Sequence, residues 1–280
     1  MNLPDQLRHE PERHDRTRIP ALNAEAIADA HGYFSGSYPA DDVRFLVSRI
    51  EMEATPISEI QKLVEQGQRA IHEMVTPEDH PSSADLESFD RALDRNVALL
   101  ATDIGVLARS LIERHAHKFG GFGSIGTNDA WLCREEIVLV SIIRAGTPLG
   151  VLLARAIRDL GVSCQHYSIS LIRHVGVDWA ALDHIVRNHN PDAIAFLDGW
   201  TGKGATARYL RQAVAEYNKA RGTAISADLC AVHDLCGAAS LSASSDDLLI
   251  PSAMLNAPVS GLVSRTVTPP GWKQGDPHAC

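Results

Sequence analysis

Nine residues, Asp198-Gly199-Trp200-Thr201-Gly202-Lys203-Gly204-Ala205-Thr206, hold the densest chemistry in this chain. Gly202 and Gly204 allow a close backbone approach, Thr201 and Thr206 offer hydroxyls, and Lys203 offers a charge. The apolar run Ala193–Leu197 precedes them and suits a buried strand. Leu210, Ala213, Val214 and Tyr217 follow at i, i+3, i+4 and i+7, one face of a helix. A glycine-bearing turn between strand and helix aims backbone N–H groups and the positive helix end at one point, where a phosphate can sit. Asp198 would repel that phosphate and suits sugar hydroxyls instead. Neither common phosphate motif fits. Leu197 stands where the first Walker A glycine belongs, Gly204 follows the lysine, and Ala207 replaces the last glycine of the dinucleotide fingerprint. A glycine turn with no ligand is the plainer alternative.

The elements around this turn read as an α/β fold. Ile137–Ile143 suits a buried strand, and Arg144-Ala145-Gly146 turns the chain. Thr147 and Pro148 then cap and open a helix bearing Leu149, Leu152, Leu153, Ala156, Ile157 and Leu160, stopped by Gly161. Tyr167, Ile169 and Leu171 alternate as a second strand, and a helix from Val177 to about Asn188 leads to the third. Strand starts near 137, 165 and 193 with helical crossovers predict a parallel βαβ series. Leu229–His233 and Leu248–Ile250 predict further strands, with a loop over 237–246. Open α/β sheets bind ligands at the carboxyl ends of their strands. Arg144-Ala145-Gly146, Ile172-Arg173-His174 and Asp198–Thr206 all fall there and should face one crevice.

Upstream, residues 1–18 read as a disordered tail and 21–31 as a short helix. The cluster Tyr33–Val43 reads either as a packed connection or as a flap, handing over to Val43–Val47. Thr55-Pro56 opens a helix running to about Val75, and 76–83 is a linker. Residues 84–117 read as one or two long helices with Phe89, Leu93, Val97, Leu100, Ile104, Leu107 and Leu111 on one face. Phe119–Ser124 is a glycine-rich loop. The chain thus divides into a tail (1–18), a helical section or hood (19–130), an α/β core (131–268) and an irregular end (269–280).

The 280 residues are 45% hydrophobic and 22% charged, ordinary for a globular protein. A net charge of -9 argues against nucleic-acid binding by counterion release. No apolar run nears the ~20 residues of a membrane span, and Met1–Pro20 lacks the features of a signal peptide. Cys133, Cys164, Cys230, Cys236 and Cys280 are scattered and odd in number, as for free thiols in the cytoplasm. The 13 histidines show no ligand spacing that would favour a metal hydrolase.

The Asp198–Thr206 pattern resembles the 5-phosphoribosyl-1-pyrophosphate (PRPP) loop of type I phosphoribosyltransferases, and Ile143–Gly146 resembles their pyrophosphate loop. From about Tyr33 the chain more closely resembles the phosphoribosyltransferase-like proteins of tellurite-resistance gene clusters, also labelled StiP. The shared runs are Phe34–Tyr38, Arg144–Pro148, His166–Ser170, Asp198–Gly204 and Ile250–Thr266. The resemblance implies a type I phosphoribosyltransferase-like parallel sheet flanked by helices. It implies transfer of phosphoribosyl from PRPP to a nitrogen nucleophile on a small-molecule acceptor, with Mg²⁺, in a homodimer that binds neither nucleic acid nor membrane. Asp198, Arg144 and Arg173 would be catalytic, with Asp198 also on the metal. Ala145, Gly146, Thr201, Gly202, Lys203, Gly204, Ala205 and Thr206 would hold PRPP. Ser35, Ser37, Tyr38, Asn256, Ser260 and Arg265 would face the acceptor. Gly199 stands where most such enzymes have a second acid. That departure suits an alternative, a non-catalytic PRPP or nucleotide sensor. A lesser alternative is a cysteine protease, for which Cys236 and His233 are the nearest pair in sequence.

Overall fold

A computed structural model describes residues 36, 38–77, 81–119, 136–248 and 265–280. The 1–18 tail, the 21–31 helix, most of the glycine-rich loop, Cys133, Ser35, Ser37, Asn256 and Ser260 lie outside the described residues.

In chain order the elements are β1 (Arg44–Phe45), α1 (Ile57–Glu65), a 3-10 turn (Ile71–Glu73), α2 (Ser83–Lys118), β2 (Ile137–Ile142), α3 (Gly146–Asp159) and β3 (Cys164–Ile169). There follow the short β4 (Leu171–Ile172) and β5 (Gly176–Val177), α4 (Trp179–Asn188), β6 (Ile194–Trp200), α5 (Ala205–Arg221), β7 (Leu229–His233) and β8 (Leu241–Ser244). Six strands form one sheet in the order β1-β3-β2-β6-β7-β8, every neighbouring pair parallel. β4 and β5 form a separate antiparallel hairpin. The chain is therefore the α/β fold expected, a parallel sheet flanked by helices.

The sheet is buried on both faces, which is why its strands read as continuous apolar runs. Alternation along β2 sends Val138, Val140 and Ile142 to a cluster with Phe196, Leu210, Val214 and Tyr217. Ile137 and Leu139 face the opposite cluster, with Leu107 of α2, Leu149 and Leu153 of α3, and Leu197. Full burial of side chains of this size contributes about 1.5–3 kcal/mol each, so these two layers fix the strand ends that carry the loops.

Several expectations are corrected. α1 stops at Glu65 instead of near Val75. Gly67 takes a positive φ of 63°, and Gly67 and Gln68 N–H turn back to Val64 and Leu63 carbonyls, closing the helix. Residues 83–118 form one helix, opened by a Ser82–Asp85 capping box. Its first half is loosely packed, and Val97 is exposed. α3 begins one residue before the expected cap, because Thr147 is buried and its hydroxyl pairs with Ser168 Oγ at 2.6 Å. The loop expected over 237–246 contains β8; of the strand expected over Leu248–Ile250, all but Leu248 lies outside the described residues. The end of the chain has no helix but is tied down: Ala279 bridges Ser48 and Val267. His278 N–H donates to Asp178 Oδ2 at 2.7 Å, and its ring meets Ser170 Oγ at 2.8 Å. Among the described residues no helix is long and apolar enough to cross a membrane.

Candidate functional site

Three connections meet at the carboxyl edge of the sheet. The turn after β2 carries a cis Ile143–Arg144 peptide and passes close to β6. A Cβ on Gly146 would lie 2.7 Å from the Leu197 carbonyl oxygen, so only glycine allows this approach. The β4–β5 hairpin presents Arg173 and His174, whose side chains stand 5.6 Å and 5.7 Å from the Tyr209 ring of α5. The third connection leads from β6 to α5, with Gly202 and Gly204 at positive φ.

These connections enclose a crevice of about 310 Å³. Arg144, Ala145, Arg173, Asp198, Ala205 and Thr206 line it together, as the sequence suggested. A second cavity of about 460 Å³ shares the lining residues Arg144 and Arg173 and adds Arg265. Tyr38 lines neither. It packs on Val43, Phe45, Val47 and Val151, and burial pushes its hydroxyl up to about 12.

Other expected ligands are engaged elsewhere. Thr201 is buried and its hydroxyl donates to Asp234 Oδ1 at 2.6 Å. Gly202 and Lys203 are exposed outside the crevice lining. Asp198 lies within β6, which continues to Trp200. Burial pushes its carboxyl up to about 6, although Gly199 N–H, at 2.8 Å, and the Thr206 hydroxyl donate to it. Among the described residues lining the crevice it is the one acid, and its oxygens already accept these donors. No group of three potential metal ligands occurs among the described residues. Of the described residues lining the crevice, Asp198 alone could offer a carboxylate to Mg²⁺, with water and bound phosphate oxygens left to complete its shell.

Asp234 was missed by sequence reasoning. It follows β7 directly, and its carboxylate accepts from Thr201, from Cys236 N–H at 3.3 Å, and from Ala238 and Ala239 N–H at 3.0 and 2.9 Å. Burial pushes its carboxyl upward, but these donors outweigh burial and hold it below the ordinary range. The available signal was positional: an acid just past a buried strand, beside the glycine turn of the next.

Asp234 anchors the turn that carries Cys236. That thiol is exposed, and its S–H faces Asp234 Oδ1 at 3.9 Å. A Cβ on Gly204, the N-cap of α5, would lie 3.4 Å from Cys236 Sγ, so the sulfur stands against the N-terminus of that helix. The suspected partner His233 faces away. Its Nδ1 meets the Asp246 carbonyl at 2.9 Å and its Nε2 lies 3.4 Å from the Asp103 carboxylate on α2. Burial pushes the thiols of Cys164 and Cys230 up to about 12 and that of Cys280 up to about 11.

A buried serine–histidine pair imitates a catalytic dyad. Ser141 Oγ lies 2.5 Å from His166 Nε2, and His166 Nδ1 lies 2.8 Å from the Asp42 carbonyl. α3 seals it: a Cβ on Gly150 would come within 2.1 Å of Ser141 Oγ. Burial pushes the His166 ring down to about 4, and no substrate reaches it. The pair is packing that ties β2 and β3 to the segment before β1.

With this geometry in place, the comparisons identify the family to which the chain belongs. The family described as tellurite-like stress resistance cysteine protease StiP matches residues 36–280. The chain belongs to that family. A relative named Cysteine protease StiP, from Acinetobacter baylyi, is 39% identical over 234 residues. The match covers 84% of this chain and 56% of the relative, so the chain spans little more than half that protein's length. Among solved structures, hypoxanthine phosphoribosyltransferase of Trypanosoma cruzi is 16% identical, with 51% of this chain and 77% of that chain covered, at a TM-score of 0.35. The same enzyme in complex with the product IMP is 15% identical, with 52% and 74% covered, at 0.33.

These findings correct the activity implied by the resemblance. The family and its Acinetobacter member carry the name of a cysteine protease, which overturns the expectation of a transferase moving phosphoribosyl from PRPP. TM-scores this low carry no argument for PRPP chemistry.

Proposed function

We propose that this chain is a thiol-dependent peptidase whose nucleophile is Cys236. The observation that carries the reading is the placement of one exposed sulfur against Gly204, at the N-terminus of a 17-residue helix. The first N–H groups of a helix have no intrahelical acceptor, and the dipole there favours negative charge. Both a thiolate and the oxyanion of a tetrahedral intermediate gain from that field. In the proposed step the sulfur bonds to the scissile carbonyl carbon, and the carbonyl electron pair moves to the oxygen, facing the α5 N–H groups. The pair returns, the C–N bond breaks, and the amine leaves with the proton that the thiol gave up to solvent; water then cleaves the thioester, releasing the carboxylic acid and restoring the thiol. Asp234, held below the ordinary carboxylate range, anchors the turn and is a poor base. Cys164, Cys230 and Cys280, with thiols raised to about 12, 12 and 11, stay protonated at neutral pH.

The test is hydrolysis of fluorogenic casein-derived peptides by this chain, by Cys236→Ser and by Cys133→Ser. We expect wild type and Cys133→Ser to cleave alike, and Cys236→Ser to lose at least about 10³-fold, the scale of nucleophile removal. Wild-type cleavage that survives in Cys236→Ser refutes the assignment, and a wild type that cleaves nothing refutes the activity.

A further inference from the structure

The β4–β5 hairpin lines the crevice through Leu171 and Arg173, and α5 lines it through Ala205, Thr206 and Tyr209. The two elements meet at the hairpin tip, where Arg173 and His174 stand against the Tyr209 ring. The tip is strained. Val175 N–H closes the turn on the Ile172 carbonyl at 3.1 Å, which puts His174 at the third position with a φ of 66°. That conformation favours glycine or asparagine, and another residue keeps it only where its surroundings impose it. The ring contact with Tyr209 is one such restraint.

A second restraint sits at the base of the hairpin. Ser170 precedes β4 and Asp178 follows β5, and Asp178 N–H donates to the Ser170 carbonyl at 3.1 Å. His278 grips both residues. Its backbone N–H donates to Asp178 Oδ2 at 2.7 Å, and its ring Nδ1 meets Ser170 Oγ at 2.8 Å. All three residues are buried, and Ser170 is the ring's one hydrogen-bond partner among the described residues. Asp178 Oδ1 meanwhile caps α4 through Ala181 N–H at 3.0 Å. His278 is itself held from outside the hairpin. Its carbonyl accepts from Ser48 N–H at 2.8 Å, and Cys280 N–H donates to the Ser48 carbonyl at 3.0 Å. Ala279 and Val267 exchange two backbone bonds at 2.8 and 2.9 Å, and Thr268 N–H reaches the His72 carbonyl at 2.9 Å. The C-terminal segment thus fastens the base of the hairpin to the stretch after β1 and to the 3-10 turn.

We propose that residues 265–280 act as a strap that keeps the hairpin closed over the crevice, with His278 as the positioning residue, so that loosening the base lets the strained tip leave Tyr209 and widens the crevice. Two restraints, one at the base and one at the tip, oppose the strain at His174 together, so weakening either shifts the population toward the open hairpin. The strap governs access to the crevice and stands apart from the peptidase reading, whatever the crevice binds.

His278→Ala and Ser170→Ala test the strap in the full chain. Amide hydrogen exchange at Val175 and Asp178 reads the base. Acetylation of Tyr209 by N-acetylimidazole, mapped by peptide mass spectrometry, reads the tip. We expect both rates to rise about 5- to 100-fold in either variant, the scale of leaving a buried polar group without its partner. The amides of β2 and β6 and the buried Tyr167 and Tyr217 are the controls and should keep wild-type rates. Ser170→Ala removes one hydroxyl and keeps the bond to Asp178, so it reads the strap should His278→Ala not fold. Unchanged rates at Val175, Asp178 and Tyr209 overturn the proposal. Faster exchange at the base with Tyr209 unchanged confines His278 to packing and overturns the link to the crevice. Equal acceleration in β2 and β6 assigns the effect to the whole fold and also overturns it.

Discussion

Alkylation of the folded protein separates the thiols by mechanism. At pH 7.5 a thiol raised to about 12, as in Cys164 and Cys230, is ionised in only about 3 × 10⁻⁵ of molecules. For Cys280, raised to about 11, the fraction is about 3 × 10⁻⁴. A free thiol at its reference value is about one-tenth ionised at this pH. Ionisation alone therefore slows the two core thiols about 3,000-fold against that reference, since the thiolate is the reacting species. Burial slows them further, because Cys164 and Cys230 are reached only when the sheet opens. Cys236, exposed at the helix end, needs no such opening. The assay is a time course with iodoacetamide, quenched and mapped by peptide mass spectrometry, with peptide hydrolysis measured on the same samples. We expect Cys236 to react before Cys164, Cys230 and Cys280, and hydrolysis to decay with the rate constant of Cys236. Core thiols reacting as fast as Cys236 in the folded protein would refute the burial argument. Activity decaying with Cys133 while Cys236 is still intact would refute the nucleophile.

Two further variants test the supports of the site. Asp198 and Asp178 are both pushed up to about 6 by burial, so the folded chain keeps protons that the unfolded chain sheds between pH about 4 and 6. Each group's contribution is full below pH about 4 and falls by about 3 kcal/mol as pH rises through 6. His166 and His278, pushed down to about 4 by burial, act oppositely and make stability rise between pH about 4 and 6.5. Asp198→Asn should therefore gain about 3 kcal/mol relative to wild type between pH 4 and pH 7 in urea unfolding; an unchanged difference at the two pH values contradicts this. Asp234→Ala leaves the Thr201 hydroxyl and the Ala238 and Ala239 N–H groups without their acceptor and should destabilise the fold by about 2–4 kcal/mol. It should also change the Cys236 alkylation rate, since the turn loses its anchor, and a variant that matches wild type in both respects removes Asp234 from the account.

The parts of the fold that were legible are those whose local sequence and burial agree. β2 and β6 are buried on both faces, so Ile137–Ile142 and Ile194–Leu197 read as apolar runs, and glycine turns mark their ends. β1 falls within the apolar run Val43–Val47, but it is only two residues long and its place at the sheet edge comes from pairing with β3. β8 was not legible because Leu241–Ser244 has the composition of a loop, and its pairing with β7 comes from the sheet. The ties of the C-terminal segment are long-range: the Asp178–His278 bond spans 100 residues. In the site, the convergence of Arg144, Arg173 and Asp198 followed from topology. The roles of the threonines did not, because composition cannot tell Thr201, turned to Asp234, from Thr206, turned to Asp198. Proximity in sequence paired His233 with Cys236, but strand alternation sends the histidine to α2 while the turn carries the cysteine to α5.

The glycine turn before α5 explains why a resemblance could give the architecture and miss the reaction. Helix-end N–H groups are donors to any negative charge, and a phosphate, a thiolate and a carbonyl oxyanion meet the same field there. The loop therefore specifies that charge is handled at this point, not which charge. What selects among reactions is the surrounding residues. Here the position after Asp198 is a glycine, the Thr201 hydroxyl is committed to Asp234, and Asp198, the one acid among the described residues lining the crevice, already accepts two donors. Each of these weakens a site built for a sugar phosphate and metal. None weakens a site in which sulfur attacks a carbonyl, because that chemistry asks the loop only for N–H donors and asks the next turn, after β7, for the thiol.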